Sequence, residues 1–216
     1  MKRILCFGDS NTWGYIAGEG KRYPEDYRWP SLLQRQLGSD YEIIEFGING
    51  MTTCFDRGDS DFKNGKTALG YALLANYPLD GIIIMLGTND LIEKSAYQAS
   101  KGAKELVNIC RSANIRFGTS QPIFNDGFKI LLVSPIQMGK DIKDNPFSIL
   151  YKNAYEESLL LGQYYKEIAI STHVDYLDAA KYGEASAIDC LHLNKDSHQS
   201  LANAIAYKLK QIYEGE

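Results

Sequence analysis

Ile4-Leu5-Cys6-Phe7-Gly8-Asp9-Ser10-Asn11-Thr12 carries the first apolar run of the chain and ends it abruptly at Gly-Asp-Ser. An unbroken apolar run requires burial on both faces, as in a strand of a parallel sheet covered by helices. The pattern predicts a buried first strand that delivers Ser10 to the top of a sheet, with no helix-compatible segment until later. A serine in that position is a candidate nucleophile. Its hydroxyl is hardly ionised at neutral pH, so it needs a base, a carboxylate to orient the base, and donors for an oxyanion.

Four further apolar runs extend the pattern: Glu42–Phe46, Gly81–Leu86, Lys129–Ser134 and Val174–Leu177. Ile82-Ile83-Ile84-Met85-Leu86 and Ile130-Leu131-Leu132-Val133 are again continuous rather than alternating. Helical spacing lies between the runs, over Trp29–Leu37, Thr67–Tyr77, Ala96–Ala113, Phe147–Ile170 and Ser197–Tyr213. The fourth of these is expected to bury Ile149, Leu150, Ala154, Leu159 and Leu160. Alternation of strand and helix implies an α/β fold, a three-layer α/β/α sandwich with a five-stranded parallel sheet and right-handed crossovers.

The chain has 216 residues, 44% hydrophobic and 23% charged, with a formal charge of −4. That suits one domain spanning 1–216, large enough to bury a core without staples. Acids and bases are mixed and no basic stripe is present, which argues against nucleic acid as a partner. The apolar run after Met1-Lys2-Arg3 is too short for a signal peptide, and no run approaches a membrane span. The expectation is a cytoplasmic protein that does not engage membranes. Cys6, Cys54, Cys110 and Cys190 are scattered, so reduced thiols are expected rather than a disulfide framework.

In doubly wound sheets ligands bind beyond the carboxyl ends of the strands. After the first strand comes Gly8-Asp9-Ser10-Asn11. After the second comes Gly47-Ile48-Asn49-Gly50, after the third Gly87-Thr88-Asn89-Asp90, and beyond the fifth Asp189-Cys190-Leu191-His192. Each block alone reads as a turn or a helix cap. Together they fill the roles of one acyl transfer. Ser10 is the nucleophile, His192 the base and Asp189 its orienting carboxylate. The oxyanion donors are the backbone N–H of Ser10, the backbone N–H of Gly50 and the side-chain amide of Asn89. No cofactor is called for.

The order Gly-Asp-Ser, Gly50, Gly-x-Asn-Asp and Asp-x-x-His resembles the SGNH hydrolases, also called the GDSL esterase/lipase family, whose four letters fall on Ser10, Gly50, Asn89 and His192. Within it, Gly8–Tyr15 and Ile84–Asp90 are similar to the bacterial arylesterase/acyltransferase branch. The resemblance runs from residue 4 to about residue 210. It implies a flavodoxin-like fold and an esterase for short-chain aryl or alkyl esters working through an acyl-enzyme, with acyl transfer to alcohols in some members. A carbohydrate O-acetyl esterase, acting on acetylated xylan or another sugar ester, is the alternative that shares the same residues. The family's usual leucine after Gly-Asp-Ser is Asn11 here, a change expected to alter packing beneath the serine. A binding module without catalysis and an anion-binding flavodoxin-like protein are rivals. The second leaves Asp189 and His192 without a role and lacks a P-loop lysine.

Other residues admit structural readings beside functional ones. Trp13, Phe147 and Leu191 are candidates to line a small acyl pocket, with Tyr151 at the same mouth. Tyr151, Tyr155 and Tyr164 also read as helix-surface tyrosines. With the long loop Thr52–Lys66, that aromatic surface points to a homo-oligomer. Asp56-Arg57-Gly58-Asp59-Ser60-Asp61 lacks the EF-hand spacing, and no metal is expected there. His173 reads as a loop residue. His198 has no third ligand at metal spacing. The expected partner is a small ester.

Overall fold

The structure, a computed structural model, describes residues 1–58 and 62–215. Five parallel strands form one sheet: β1 (Lys2–Gly8), β2 (Tyr41–Gly47), β3 (Leu79–Met85), β4 (Phe124–Ser134) and β5 (Asp175–Asp178), in the order β2-β1-β3-β4-β5. The helices are α1 (Ser10–Trp13), α2 (Trp29–Leu37), α3 (Gly65–Asn76), α4 (Ala96–Arg116), α5 (Ala154–Thr172) and α6 (Lys195–Glu214). The strand order reverses between β1 and β3, which is where a doubly wound sheet leaves a crevice.

Side chains alternate faces along each strand, and both faces are apolar. Leu5, Phe7, Ile82, Ile84, Ile130 and Leu132 join α3, α4 and α5 in one core. Ile4, Cys6, Ile83, Met85, Leu131 and Val133 join α2 and α6 in the other. This two-sided burial explains the unbroken apolar runs. Each fully buried Leu or Ile is worth about 1.5–3 kcal/mol. Cys6 and Cys110 are buried, one in each of these two cores.

The register sets the site. Gly8 pairs with Gly47 of β2 and with Met85 of β3, so three strands end at one level. The segments that follow them therefore emerge side by side. The loop after α1 is tied to β2 through Glu45, which accepts from Arg22 (2.8 Å), from Arg28 (2.9 and 3.2 Å) and from the Ser31 hydroxyl. Helix α4 begins in a capping box, in which Ser95 and Gln98 satisfy each other's backbone N–H groups.

Three expectations need correction. A short helix starts at Ser10 itself, because the Asp9 side chain caps it by accepting from the Asn11 N–H (2.9 Å). Strand β4 starts at Phe124, five residues before Lys129, and its pairing to β3 shifts register between Leu79 and Gly81. The irregular stretch includes Gly127 at φ 74°, which hid the early strand in the sequence. The helix expected over Phe147–Ile170 is two pieces, a 3-10 turn at Pro146–Ile149 and then α5. Helix α5 buries Ala154, Ser158, Leu161, Tyr165 and Ile168, while Ile149, Leu150, Leu159 and Leu160 are exposed. Its apolar residues surround the helix, so periodicity alone did not identify the inward face. Asp59, Ser60 and Asp61 of the acidic loop lie outside the described residues.

Tyr165 of α5 donates to the Leu86 carbonyl at 2.6 Å, at the point where β3 runs into Gly87. Gly87 has φ 133°, and a Cβ there would stand 2.3 Å from the Tyr165 hydroxyl. Gly87→Ala is expected to destabilise by about 2–4 kcal/mol through backbone strain and loss of that contact. Urea unfolding measures it, and a loss below about 0.5 kcal/mol contradicts it.

Candidate active site

Ser10 occupies the first position of α1, directly beyond Gly8 and Asp9, and is 7% exposed. Its Oγ lies 3.0 Å from His192 Nε2. His192 arrives from the opposite end of the sequence, between β5 and α6. The loop that carries it is fixed by its own backbone: the Ser186 N–H donates to the His192 carbonyl (2.7 Å), and the Cys190 N–H to the Ser186 carbonyl (2.7 Å). Cys190 adopts φ 58°, a left-handed turn that brings Asp189 back under the imidazole. Asp189 Oδ2 stands 2.7 Å from His192 Nδ1, and Oδ1 accepts the N–H groups of Leu191 and His192, both at 3.0 Å. Burial alone would raise the Asp189 pKa. The hydrogen bond and charge of His192, with the two backbone donors, outweigh it and hold the carboxyl below its usual range. The arrangement leaves Nδ1 protonated toward Asp189 and Nε2 free to accept from Ser10.

Asn11 does more than pack beneath the serine. Its Oδ1 accepts the Leu193 N–H at 2.8 Å, and its Nδ2 reaches the Leu191 carbonyl at 3.4 Å. One side chain, adjacent to Ser10 in sequence, therefore grips the backbone on both sides of His192. A leucine could make neither contact. The aromatic wall also differs from the expectation. Tyr15 stacks on the His192 ring, with centroids 4.1 Å apart and planes 25° apart. Phe147 meets the same ring edge-on at 6.2 Å. Trp13 instead packs against the Arg22 guanidinium and lies 6.4 Å from Tyr15. Leu191 is 5% exposed and belongs to the core. Tyr15 follows Gly14, whose left-handed cap turns the chain back over the site. Nothing in the sequence pattern separated it from Trp13.

Asn89 begins the 3-10 turn after β3. Its Nδ2 donates to the Met51 carbonyl (3.1 Å) and reaches Asp9 Oδ2 (3.4 Å). The carboxamide is thus held between the residue before Ser10 and the residue after Gly50. The backbone N–H groups of Ser10 and Gly50 donate to no described residue. Gly50 has φ 79°, and a Cβ there would lie 3.1 Å from Lys63 Cδ and 3.3 Å from Arg57 Nη1. Turn conformation and these two neighbours explain the glycine, in addition to any approach by a ligand.

Two carboxylates are buried behind these donors. Asp9 is pushed up to about 7 by burial, with the nearby charge of Asp90 adding to it against the Asn11 N–H. Asp90 is pushed up to about 6 by burial, against hydrogen bonds from the Thr53 hydroxyl and N–H. Asp90 thereby ties the loop after β2 to the end of β3.

His198 lies wholly inside, and its Nδ1 accepts the Trp29 N–H at 3.3 Å. Burial, with Arg28 nearby, lowers its pKa to about 3, so it is a neutral core residue. His173 is the exposed left-handed cap of α5. Two surface grooves of about 510 and 530 Å³ flank Lys152 and Asn153, and neither is lined by Ser10, Asp189 or His192. No described helix is long and apolar enough to cross a membrane.

The GDSL-like lipase/acylhydrolase family matches residues 6–199. A carbohydrate acetylesterase family member from Sinorhizobium meliloti is 32% identical, with a TM-score of 0.90 over 99% of this chain and 100% of that one. The M. smegmatis aryl esterase is 31% identical, with a TM-score of 0.90 over 98% of this chain and 100% of that one. An acetylxylan esterase of Xylanibacter ruminicola is 25% identical over 96% of this chain, which spans only 43% of that protein's length. A family match across most of the chain and structural likeness at these identities establish that the chain belongs to the GDSL-like lipase/acylhydrolase family.

Proposed function

We propose that the chain is a serine esterase for short-chain carboxylic esters, with Ser10 as nucleophile, His192 as general base and Asp189 as its orienting carboxylate. The observation that carries the reading is the continuous chain from Ser10 Oγ to His192 Nε2 at 3.0 Å and from His192 Nδ1 to Asp189 Oδ2 at 2.7 Å.

The chemistry follows from these contacts. Ser10 Oγ attacks the ester carbonyl carbon while its proton passes to His192 Nε2. Asp189 stabilises the imidazolium, and the stacked Tyr15 ring keeps its plane aligned. The carbonyl oxygen becomes an oxyanion and takes hydrogen bonds from the Ser10 N–H, the Gly50 N–H and the Asn89 amide. The intermediate collapses, the carbon–oxygen bond to the leaving alcohol breaks, and His192 returns the proton to that alcohol. Water or a second alcohol then attacks the acyl-Ser10 ester by the same route.

The nearly buried serine and the rings of Tyr15 and Phe147 against His192 favour a small acyl group such as acetyl. The leaving group is open to two readings. The likeness to the M. smegmatis aryl esterase supports aryl or alkyl esters. The likeness to the Sinorhizobium meliloti carbohydrate acetylesterase supports a sugar acetate. Matched assays on p-nitrophenyl acetate, p-nitrophenyl octanoate and an acetylated xylo-oligosaccharide decide among them. The acetate is expected to exceed the octanoate in kcat/KM by about tenfold or more, since a misfit of even one methylene costs about that factor. A faster octanoate contradicts the small pocket, and a sugar acetate turned over faster than the aryl acetate selects the second reading.

Ser10→Ala is expected to lower kcat on p-nitrophenyl acetate by about 10⁴-fold or more. Asn89→Ala is expected to lower kcat by about 10²–10³ with little change in KM, because an oxyanion donor acts in the transition state. Steady-state kinetics test both, and a Ser10→Ala variant that keeps most of its activity overturns the assignment.

Asp9 gives a pH prediction for stability. Its folded pKa, about 7, exceeds its ordinary value of 3.8. Between those values the unfolded chain ionises Asp9 while the folded chain holds the proton, so folding is penalised increasingly as pH rises. Asn at this position keeps a side-chain oxygen to cap α1 and has no charge to bury. Thermal melts from pH 4 to 8 are therefore expected to show the Tm of Asp9→Asn rising relative to the parent by several degrees and levelling off above about pH 7. A constant difference contradicts this.

A further inference from the structure

We propose that Tyr151 is a positioning residue for ester hydrolysis, setting which end of the Asn89 carboxamide faces the reacting oxygen; the inference rests on the oxyanion role given to Asn89 above. Tyr151 is 3% exposed, and its hydroxyl lies 2.9 Å from Asn89 Oδ1. An amide oxygen only accepts, so the phenol must be the donor. Burial, reinforced by the negative charge of Asp9, pushes the phenol pKa far above its usual value and keeps that proton in place.

Rotating the carboxamide by half a turn would turn its NH₂ group toward the phenol. Its oxygen would then face the Met51 carbonyl, which can only accept. The observed orientation instead gives Oδ1 to Tyr151 and Nδ2 to Met51 at 3.1 Å. The second Nδ2 hydrogen has only the long 3.4 Å contact to Asp9 Oδ2, and it is the one left for an oxyanion formed at Ser10. Donation into Oδ1 also polarises the amide and strengthens its N–H groups as donors. The hydroxyl therefore acts through Asn89 and touches no reacting atom.

The backbone explains how a tyrosine reaches this point. Tyr151 lies between the 3-10 turn Pro146–Ile149 and the start of α5 at Ala154. Its N–H donates to the Phe147 carbonyl (3.0 Å), and its carbonyl accepts the Ala154 N–H (3.2 Å). A continuous helix here would carry it on a different heading. The break is what directs the ring inward, onto Asn89 in the 3-10 turn after β3.

Tyr151→Phe keeps the ring and removes the donor. It is expected to lower kcat on p-nitrophenyl acetate about tenfold, with KM unchanged within about twofold and Tm within a few degrees of the parent. In an Asn89→Ala background the same change is expected to alter kcat by less than about twofold, because the group it acts through is gone. The side-chain ¹⁵N–¹H₂ resonance of Asn89, assigned by its loss in Asn89→Ala, is expected to shift in Tyr151→Phe whether or not activity changes. An unchanged kcat in Tyr151→Phe, an equal loss in both backgrounds, or an unmoved Asn89 resonance overturns the inference. Ser10→Ala measured alongside separates the cases: activity surviving in that variant sinks the underlying esterase reading, whereas an inactive Ser10→Ala beside a fully active Tyr151→Phe sinks the Tyr151 role alone.

Discussion

Three adjacent parallel strands ending at one level is the constraint on which the site depends. Gly8 is in register with Gly47 and with Met85. Consequently Ser10, Gly50 and Asn89, which are 79 positions apart at the extremes, emerge from one edge of one sheet. A slip of one residue in either pairing would turn every strand side chain to the opposite core. Such a slip would also separate the three candidate oxyanion donors. The two apolar cores that hold the register therefore also hold the geometry of the site, through covalent continuity and, at Tyr151 and Phe147, by direct contact.

The candidate base comes from outside that sheet edge and has to be brought to it. Three devices do this. Cys190 turns left-handed, Asp189 accepts the next two useful backbone N–H groups as well as the imidazole, and Asn11 grips the backbone before and after His192. Asn11 links the loop to the short helix that begins at Ser10, the candidate nucleophile. Relative motion of Ser10 and His192 would then break a buried hydrogen bond, which costs about 1–3 kcal/mol. A residue that looked like a departure from the family pattern is thus the one that couples its two ends. Tyr15 and Phe147 close the remaining faces of the imidazole with apolar surface.

The strands, their parallel arrangement and the blocks that carry Ser10, Gly50, Asn89, Asp189 and His192 to the candidate site were legible because each leaves a local trace. Continuous apolar runs mark strands buried on both faces, and the short blocks after them mark strand ends. What escaped the sequence depended on contacts across the fold. The helix at Ser10 is too short for a periodic signal and exists because Asp9 caps it. The inward face of α5 was misread because Leu159 and Leu160 are exposed while Ser158 and Tyr165 are buried, and only the packing against α4, β4 and β5 decides that. Tyr15 and Trp13 are equivalent in composition and neighbourhood, and the left-handed turn at Gly14 alone determines which one faces His192. Tyr151 read both as a helix-surface residue and as a lining of the pocket mouth, and its place against Asn89 was not foreseen. Its burial follows from a break between two helical pieces that their residue pattern does not reveal.

The central claim is covalent: an acyl group passes through Ser10 Oγ. Rapid quenching of the protein during turnover of p-nitrophenyl acetate, followed by proteolysis and mass spectrometry of the peptide that contains Ser10, reads this directly. The expected result is one added acetyl group on Ser10 in the quenched parent and none in Ser10→Ala. A peptide that stays unmodified while turnover proceeds, or an acetyl group found on a different residue with Ser10 unlabelled, would contradict it.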